Sequence, residues 1–113
     1  MQNIVILGAG SIGTALGNSL AVRNDLNVTL LSVENDVVDT IAKTHFNQKY
    51  FPNIRLIPAL SATTDPAVLK RADIVFIAIP SVAVVKYVLE IKHVLPENAI
   101  LINLAKGFGC EDK

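Results

Sequence analysis

The chain has 113 residues, 51% of them hydrophobic, which gives room for one domain with a real core. Lys+Arg 10 balance Asp+Glu 10, so no basic face points to nucleic acid and no polybasic stretch points to an anionic membrane. Apolar runs such as Ile74 to Ile79 fall far short of the roughly 20 residues that span a bilayer, the N-terminus lacks the basic region of a secretory signal, and the single Cys110 excludes an internal disulfide framework and gives no metal-ligand spacing; a cytoplasmic protein is expected.

The first predicted strand, about Asn3 to Leu7, runs into Gly8, Gly10 and Gly13, the G-x-G-x-x-G spacing of a dinucleotide-binding turn. The first glycine permits a tight turn, the second lets a pyrophosphate approach the backbone, and the third lets helix and strand pack closely. A helix from about Ser11 to Arg23 follows, with Ile12, Ala15, Leu16 and Leu20 on one stripe. Its unpaired amides and its dipole form an anion site. Val28 to Ser32 reads as the second strand. Asn35 or Asp36 can cap the next helix, whose Val37, Val38, Ile41, Ala42 and His45 share a face and which ends near Thr44.

Asn47 to Ala59 reads as a long loop carrying Tyr50 and Phe51, an aromatic pair that either closes over an adenine or covers the edge of its own core. Leu60 to Thr63 forms a short third strand. Asp65 resembles an N-cap with Pro66 at the first helical position of a brief helix through about Lys70. Asp73 to Ile79 is apolar almost throughout and reads as a strand buried on both faces, stopped by Pro80. Ser81 can cap a helix to about His93, and Ala99 to Leu104 supplies a fifth strand. His45 and His93 both lie near predicted helix C-termini, where imidazole suits the dipole. Glu111, Asp112 and Lys113 read as a solvated tail.

Apolar strands alternating with helices predict an α/β, Rossmann-type open parallel sheet of order 3-2-1-4-5, with right-handed crossovers and helices on both faces. A flavodoxin-like or response-regulator fold is the alternative. A ligand belongs over the carboxyl ends of the strands, where Ser11, Ile12, Pro80, Ser81 and Lys106 fall. Glu34 lies close to the spacing, about 20 residues beyond the third glycine, at which an acid accepts from the ribose 2′-hydroxyl and repels a 2′-phosphate. No arginine occurs between Asn24 and Ile54, so NAD is favoured over NADP.

The order of GAGSIGTAL (Gly8 to Leu16), NQKYFPNIRL (Asn47 to Leu56), TTD (Thr63 to Asp65), ADIVFIAIPS (Ala72 to Ser81) and NLAKGF (Asn103 to Phe108) resembles the N-terminal domain of NAD(P)-dependent glycerol-3-phosphate dehydrogenase across nearly the whole chain. Ile12 stands where the family usually has an aromatic, Val82 where Gln or His is frequent, and Val33 where a basic residue is common. The resemblance implies reversible hydride transfer between a nicotinamide cofactor and dihydroxyacetone phosphate, giving glycerol 3-phosphate for glycerophospholipid metabolism. It implies that Lys106 contacts substrate and cofactor, its ammonium stabilising charge on the carbonyl oxygen. By the same resemblance the family's proton-donating lysine belongs to a helical substrate domain beyond Lys113, so no proton donor is expected among these 113 residues. Residues 1–113 are therefore expected to be a cofactor-binding domain, nearly inactive alone, with exposed apolar surface that favours homo-oligomers. A stand-alone NAD-sensing or assembly module is the competing reading.

Overall fold

In Gln2–Leu7, Ile4 and Ile6 alternate with Val5 and Leu7, and all four are buried, so this strand (β1) is covered on both of its faces. The computed structural model describes residues 1–79 and 89–104. After β1 come α1 (Ser11–Ala21), β2 (Leu26–Leu31), α2 (Asn35–Thr44), β3 (Ser61–Thr63), a 3₁₀ helix (Pro66–Arg71), β4 (Ile74–Ile77) and β5 (Ile100–Asn103). The five strands pair in parallel in the order β3-β2-β1-β4-β5, as the alternation of strands and crossovers predicts.

Register turns this order into two apolar layers. Ile4 is level with Val28 and Ile74, and Ile6 with Leu30 and Phe76; these six join Val37 and Ile41 of α2 in one cluster. On the other face Leu7 is level with Leu31 and Ile77, and these pack with Val5, Val75, Leu69, Ala72 and Ile91. A core on each side of the sheet is what a doubly wound domain requires. β5, at the sheet edge, departs from this pattern, with Ile100, Leu101 and Ile102 all exposed.

Local chemistry sets the element ends, and some differ from the sequence expectation. α1 ends at Ala21 rather than Arg23, and its buried residues are Gly13, Thr14, Gly17 and Ala21. Leu16 and Leu20 only flank that contact, and Ile12 is 46% exposed. The reason is distance: a Cβ built on Gly17 would lie 2.9 Å from Leu30 Cδ2 and 3.1 Å from Ile6 Cδ1, so α1 meets the sheet through its smallest residues. The N-cap of α2 is Glu34, not Asn35 or Asp36. His45 closes α2 in the left-handed region at φ 61, its amide donating to Ile41 O at 2.9 Å.

Asp65 caps as expected, Oδ1 accepting from the Ala67 amide at 2.9 Å with Pro66 opening the turn, but the segment it starts is a 3₁₀ helix. Strand bounds agree at Leu7 and Thr63 and differ elsewhere by one or two residues, the usual scale of fraying. The predicted helix from Ser81 falls largely outside the described residues; 89–91 are helical. The tail that ends in Glu111, Asp112 and Lys113 also lies outside them.

Candidate functional site

The turn between β1 and α1 is built by its glycines. Gly8 has φ +105, which side-chain-bearing residues rarely adopt, and its amide donates to Leu31 O at 2.8 Å, tying the turn to the end of β2. A Cβ on Gly13 would collide with the Gly8 carbonyl oxygen, so the first turn of α1 lies directly against the chain leaving β1. Gly10 differs, because a Cβ there would meet nothing within 4 Å. It is the N-cap of α1 and contributes no side-chain cap, so the amides of Ser11, Ile12 and Gly13 begin the helix without a side-chain acceptor over them.

This turn forms one wall of a cleft of about 420 Å³ lined by Gly8, Ala9, Gly10, Leu31, Ser32, Val33, Glu34, Tyr50, Ala78 and Ile79. Three strands end at its floor, since Gly8 follows β1, Ser32 follows β2 and Ala78 follows β4. This is the reversal point of the strand order. The walls are largely apolar, and polar groups gather at the Glu34 end. A second cleft, of about 440 Å³, lies beside the amino-terminal half of β1 near Asn3, Thr29 and Arg71. It faces neither the glycine turn nor Glu34.

Glu34 is held by two residues of the Asn47 to Ala59 segment. Tyr50 Oη donates to both carboxylate oxygens, at 3.1 Å to Oε1 and 2.8 Å to Oε2, while Lys49 Nζ donates to Oε1 and lies 5.3 Å from the Tyr50 ring centroid. The Lys49 hydrogen bond first, and that of Tyr50 second, hold the Glu34 carboxyl below the usual carboxylate range. Its bond to Glu34 in turn raises Lys49 above the ordinary amine value. From inside, the Ser32 hydroxyl accepts from the Glu34 amide at 3.0 Å.

Asn47 fixes the same segment to the glycine turn. It is fully buried, and Nδ2 donates to Ala9 O at 2.7 Å and to Thr14 Oγ1 at 2.9 Å. Oδ1 accepts from the Tyr50 amide at 3.1 Å, so one side chain links the glycine turn, α1 and the segment that holds Glu34. The aromatic pair divides its labour: Tyr50 lines the cleft, whereas Phe51 packs on the core around Ile4 and Ile6.

Of the residues singled out in the sequence, Gly8, Gly10 and Glu34 line this cleft, Ser11 and Ile12 form the exposed start of α1, and Gly13 is buried beneath them. Pro80, Ser81, Lys106, Cys110 and Lys113 lie outside the described residues. The expectation that the proton-donating lysine belongs beyond Lys113 concerns chain outside this sequence altogether. Sequence reasoning passed over Asn47 and Lys49. Among the described residues, the cation bonded to Glu34 is not an arginine but a lysine fifteen residues on. The only signal was the polar cluster NQKY ahead of a proline.

The residues present fit a dinucleotide: open space at Gly10 beside uncapped helix amides suits a pyrophosphate, and an acid at the end of β2 suits a ribose. No helix among the described residues is long and apolar enough to cross a membrane.

Comparison with known proteins agrees with this fold. A family profile described as NAD-dependent glycerol-3-phosphate dehydrogenase N-terminus matches residues 3–113. The chain is 40% identical over 105 residues to glycerol-3-phosphate dehydrogenase [NAD(P)+] of Acinetobacter baylyi, covering 92% of this chain and 29% of that protein. It is 36% identical over 111 residues to the enzyme of the same name from Neorickettsia sennetsu, covering 98% and 33%. The crystal structure of glycerol-3-phosphate dehydrogenase from Coxiella burnetii superposes with a TM-score of 0.80 at 33% identity, covering 94% of this chain and 34% of that one. The chain thus spans about a third of the length of these relatives. With its glycine turn, its 3-2-1-4-5 sheet and this match along almost its full length, the chain belongs to the family of NAD-dependent glycerol-3-phosphate dehydrogenase N-terminal domains.

Proposed function

We propose that this chain binds NAD(P) across the glycine turn, with NAD preferred, and serves as the cofactor half of a cytoplasmic glycerol-3-phosphate dehydrogenase. The observation that carries the reading is the cleft at the strand-order reversal, with Gly10 open to a ligand and Glu34 at its far end. The amides of Ser11, Ile12 and Gly13 hold the pyrophosphate, and Gly8 shapes the turn that aims them. Glu34 accepts from the adenosine ribose and disfavours a 2′-phosphate.

Bound cofactor supplies the nicotinamide that exchanges a hydride with dihydroxyacetone phosphate or glycerol 3-phosphate. By the family resemblance Pro80 and Ser81 are assigned to the cofactor, and Lys106 to both substrate and cofactor. Residues 1–113 match about a third of the relatives' length, and on that ground they are expected to turn over at a negligible rate by themselves.

Titration calorimetry with NAD+ and NADP+ tests the binding half. Tighter binding of NAD+ is expected, and a folded sample that binds neither overturns the reading. Joining the chain to the remaining two-thirds of a relative tests the catalytic half, since reduction of dihydroxyacetone phosphate should return.

A further inference from the structure

We propose that Lys49 sets how far this site discriminates between the two dinucleotides: its ammonium, paired with Glu34 in the free chain, turns to the 2′-phosphate of NADP and offsets the repulsion from Glu34. The inference rests on the proposed placement of the adenosine ribose beside Glu34 and identifies the group that decides what that ribose can carry.

Three observations carry it. The first is position. Glu34 lines the cleft, and Lys49 Nζ is hydrogen-bonded to Glu34 Oε1, so the cation stands at the rim where a substituent on the ribose would emerge. The second is freedom. The Lys49 side chain is 50% exposed and flexible, whereas Glu34 keeps Tyr50 Oη on both oxygens and stays anchored when Lys49 leaves. The third is the neighbourhood on β2's side of the rim. Val33, the residue beside Glu34, is apolar and 80% exposed, and Ser32 is buried with its hydroxyl engaged by the Glu34 amide, so neither offers a charge.

With NAD bound, Glu34 has lone pairs left for a ribose hydroxyl while Tyr50 and Lys49 hold it in place. With NADP, a carboxylate and a phosphate come together, and one ammonium able to bridge both anions reduces their mutual repulsion. Lys49 is therefore a specificity-determining residue, and the site tolerates NADP rather than rejecting it. A purely structural role in closing the loop would weaken both cofactors alike.

The test is titration of the full chain with NAD+ and with NADP+ at low and at physiological ionic strength, read as the ratio of the two dissociation constants. Lys49→Met should raise that ratio against NADP+ by about tenfold at low salt and by less at high salt. Lys49→Arg should restore it, and Glu34→Gln should lower it. In the double variant the Lys49→Met effect should shrink, because the repulsion it offsets is gone. A ratio that stays within about twofold in Lys49→Met, or equal losses for both dinucleotides, overturns the inference while leaving the dinucleotide site intact. Failure of the parent chain to bind either dinucleotide removes the site reading itself, and this inference with it.

Discussion

Asn47 Nδ2 donates to Ala9 O at 2.7 Å across 38 residues of sequence, so the glycine turn takes its shape partly from the loop that follows α2. The same amide group reaches Thr14 Oγ1, and the Thr14 hydroxyl also donates to Ala9 O at 3.2 Å. Three buried polar groups are thus satisfied by one another with no solvent required.

Asn47→Ala should cost about 1–3 kcal/mol, since Ala9 O and Thr14 Oγ1 lose a buried partner. Urea unfolding checks this. Dinucleotide affinity should fall as well, because the turn and the Tyr50 amide both lose their tie. A variant with the parent's midpoint and affinity would show that the network is dispensable.

Two glycines of the turn should separate stability from binding. Gly13→Ala forces a methyl group onto the Gly8 carbonyl oxygen and should destabilise the fold by about 1–3 kcal/mol. At Gly10 the φ of −76 suits any residue and a Cβ has open space, so Gly10→Ala should cost under about 1 kcal/mol while it obstructs the approach of a pyrophosphate. Thermal melts with and without NAD+ distinguish the two. The Gly10 variant should melt like the parent in buffer and lose the cofactor-induced shift.

Glu34 gives the chain a predictable response to acid. Its carboxyl is held below the ordinary range by Lys49 first and Tyr50 second, so its contribution to stability is in force above the unfolded carboxylate's value and fades as pH falls through the lowered folded value. Lys49, raised by the same bond, limits the pair only where pH climbs through the alkaline range. The unfolding midpoints of the parent and of Glu34→Gln should differ at neutral pH and converge in acid. A gap that persists unchanged to low pH would disconnect the carboxylate from stability.

At the sheet edge, β5 exposes Ile100, Leu101 and Ile102 together. An uncovered apolar edge strand invites another to pair with it. Sedimentation should reveal reversible self-association of this chain at high concentration, reduced by Leu101→Lys. A strictly monomeric parent would contradict the expectation.

The sheet order and the glycine turn were legible because both are written locally. Short apolar runs mark strands, and a spacing of three glycines between strand and helix specifies one turn. The buried face of α1 was not, since a search for large apolar residues selects Leu16 and Leu20, whereas close approach selects Gly13 and Gly17. Lys49 and Asn47 escaped for another reason. Both sit in a polar loop whose meaning depends on partners fifteen and thirty-eight residues away, a separation that no local period encodes. Glu34 lies beyond β2 and lines the cleft, but its bonds to Tyr50 and Lys49 exist only in the folded chain.

The left-handed reversal at His45 makes the 10 residues of α2 a measuring rod, because the chain leaves the rod there and arrives at Asn47 two positions later. Lengthening that rod by a single residue would swing its exit by about 100° and advance it about 1.5 Å. Insertions anywhere in α2 should therefore displace the glycine turn from a distance, whereas equal insertions among the exposed Asn53, Ile54 and Arg55 should be absorbed.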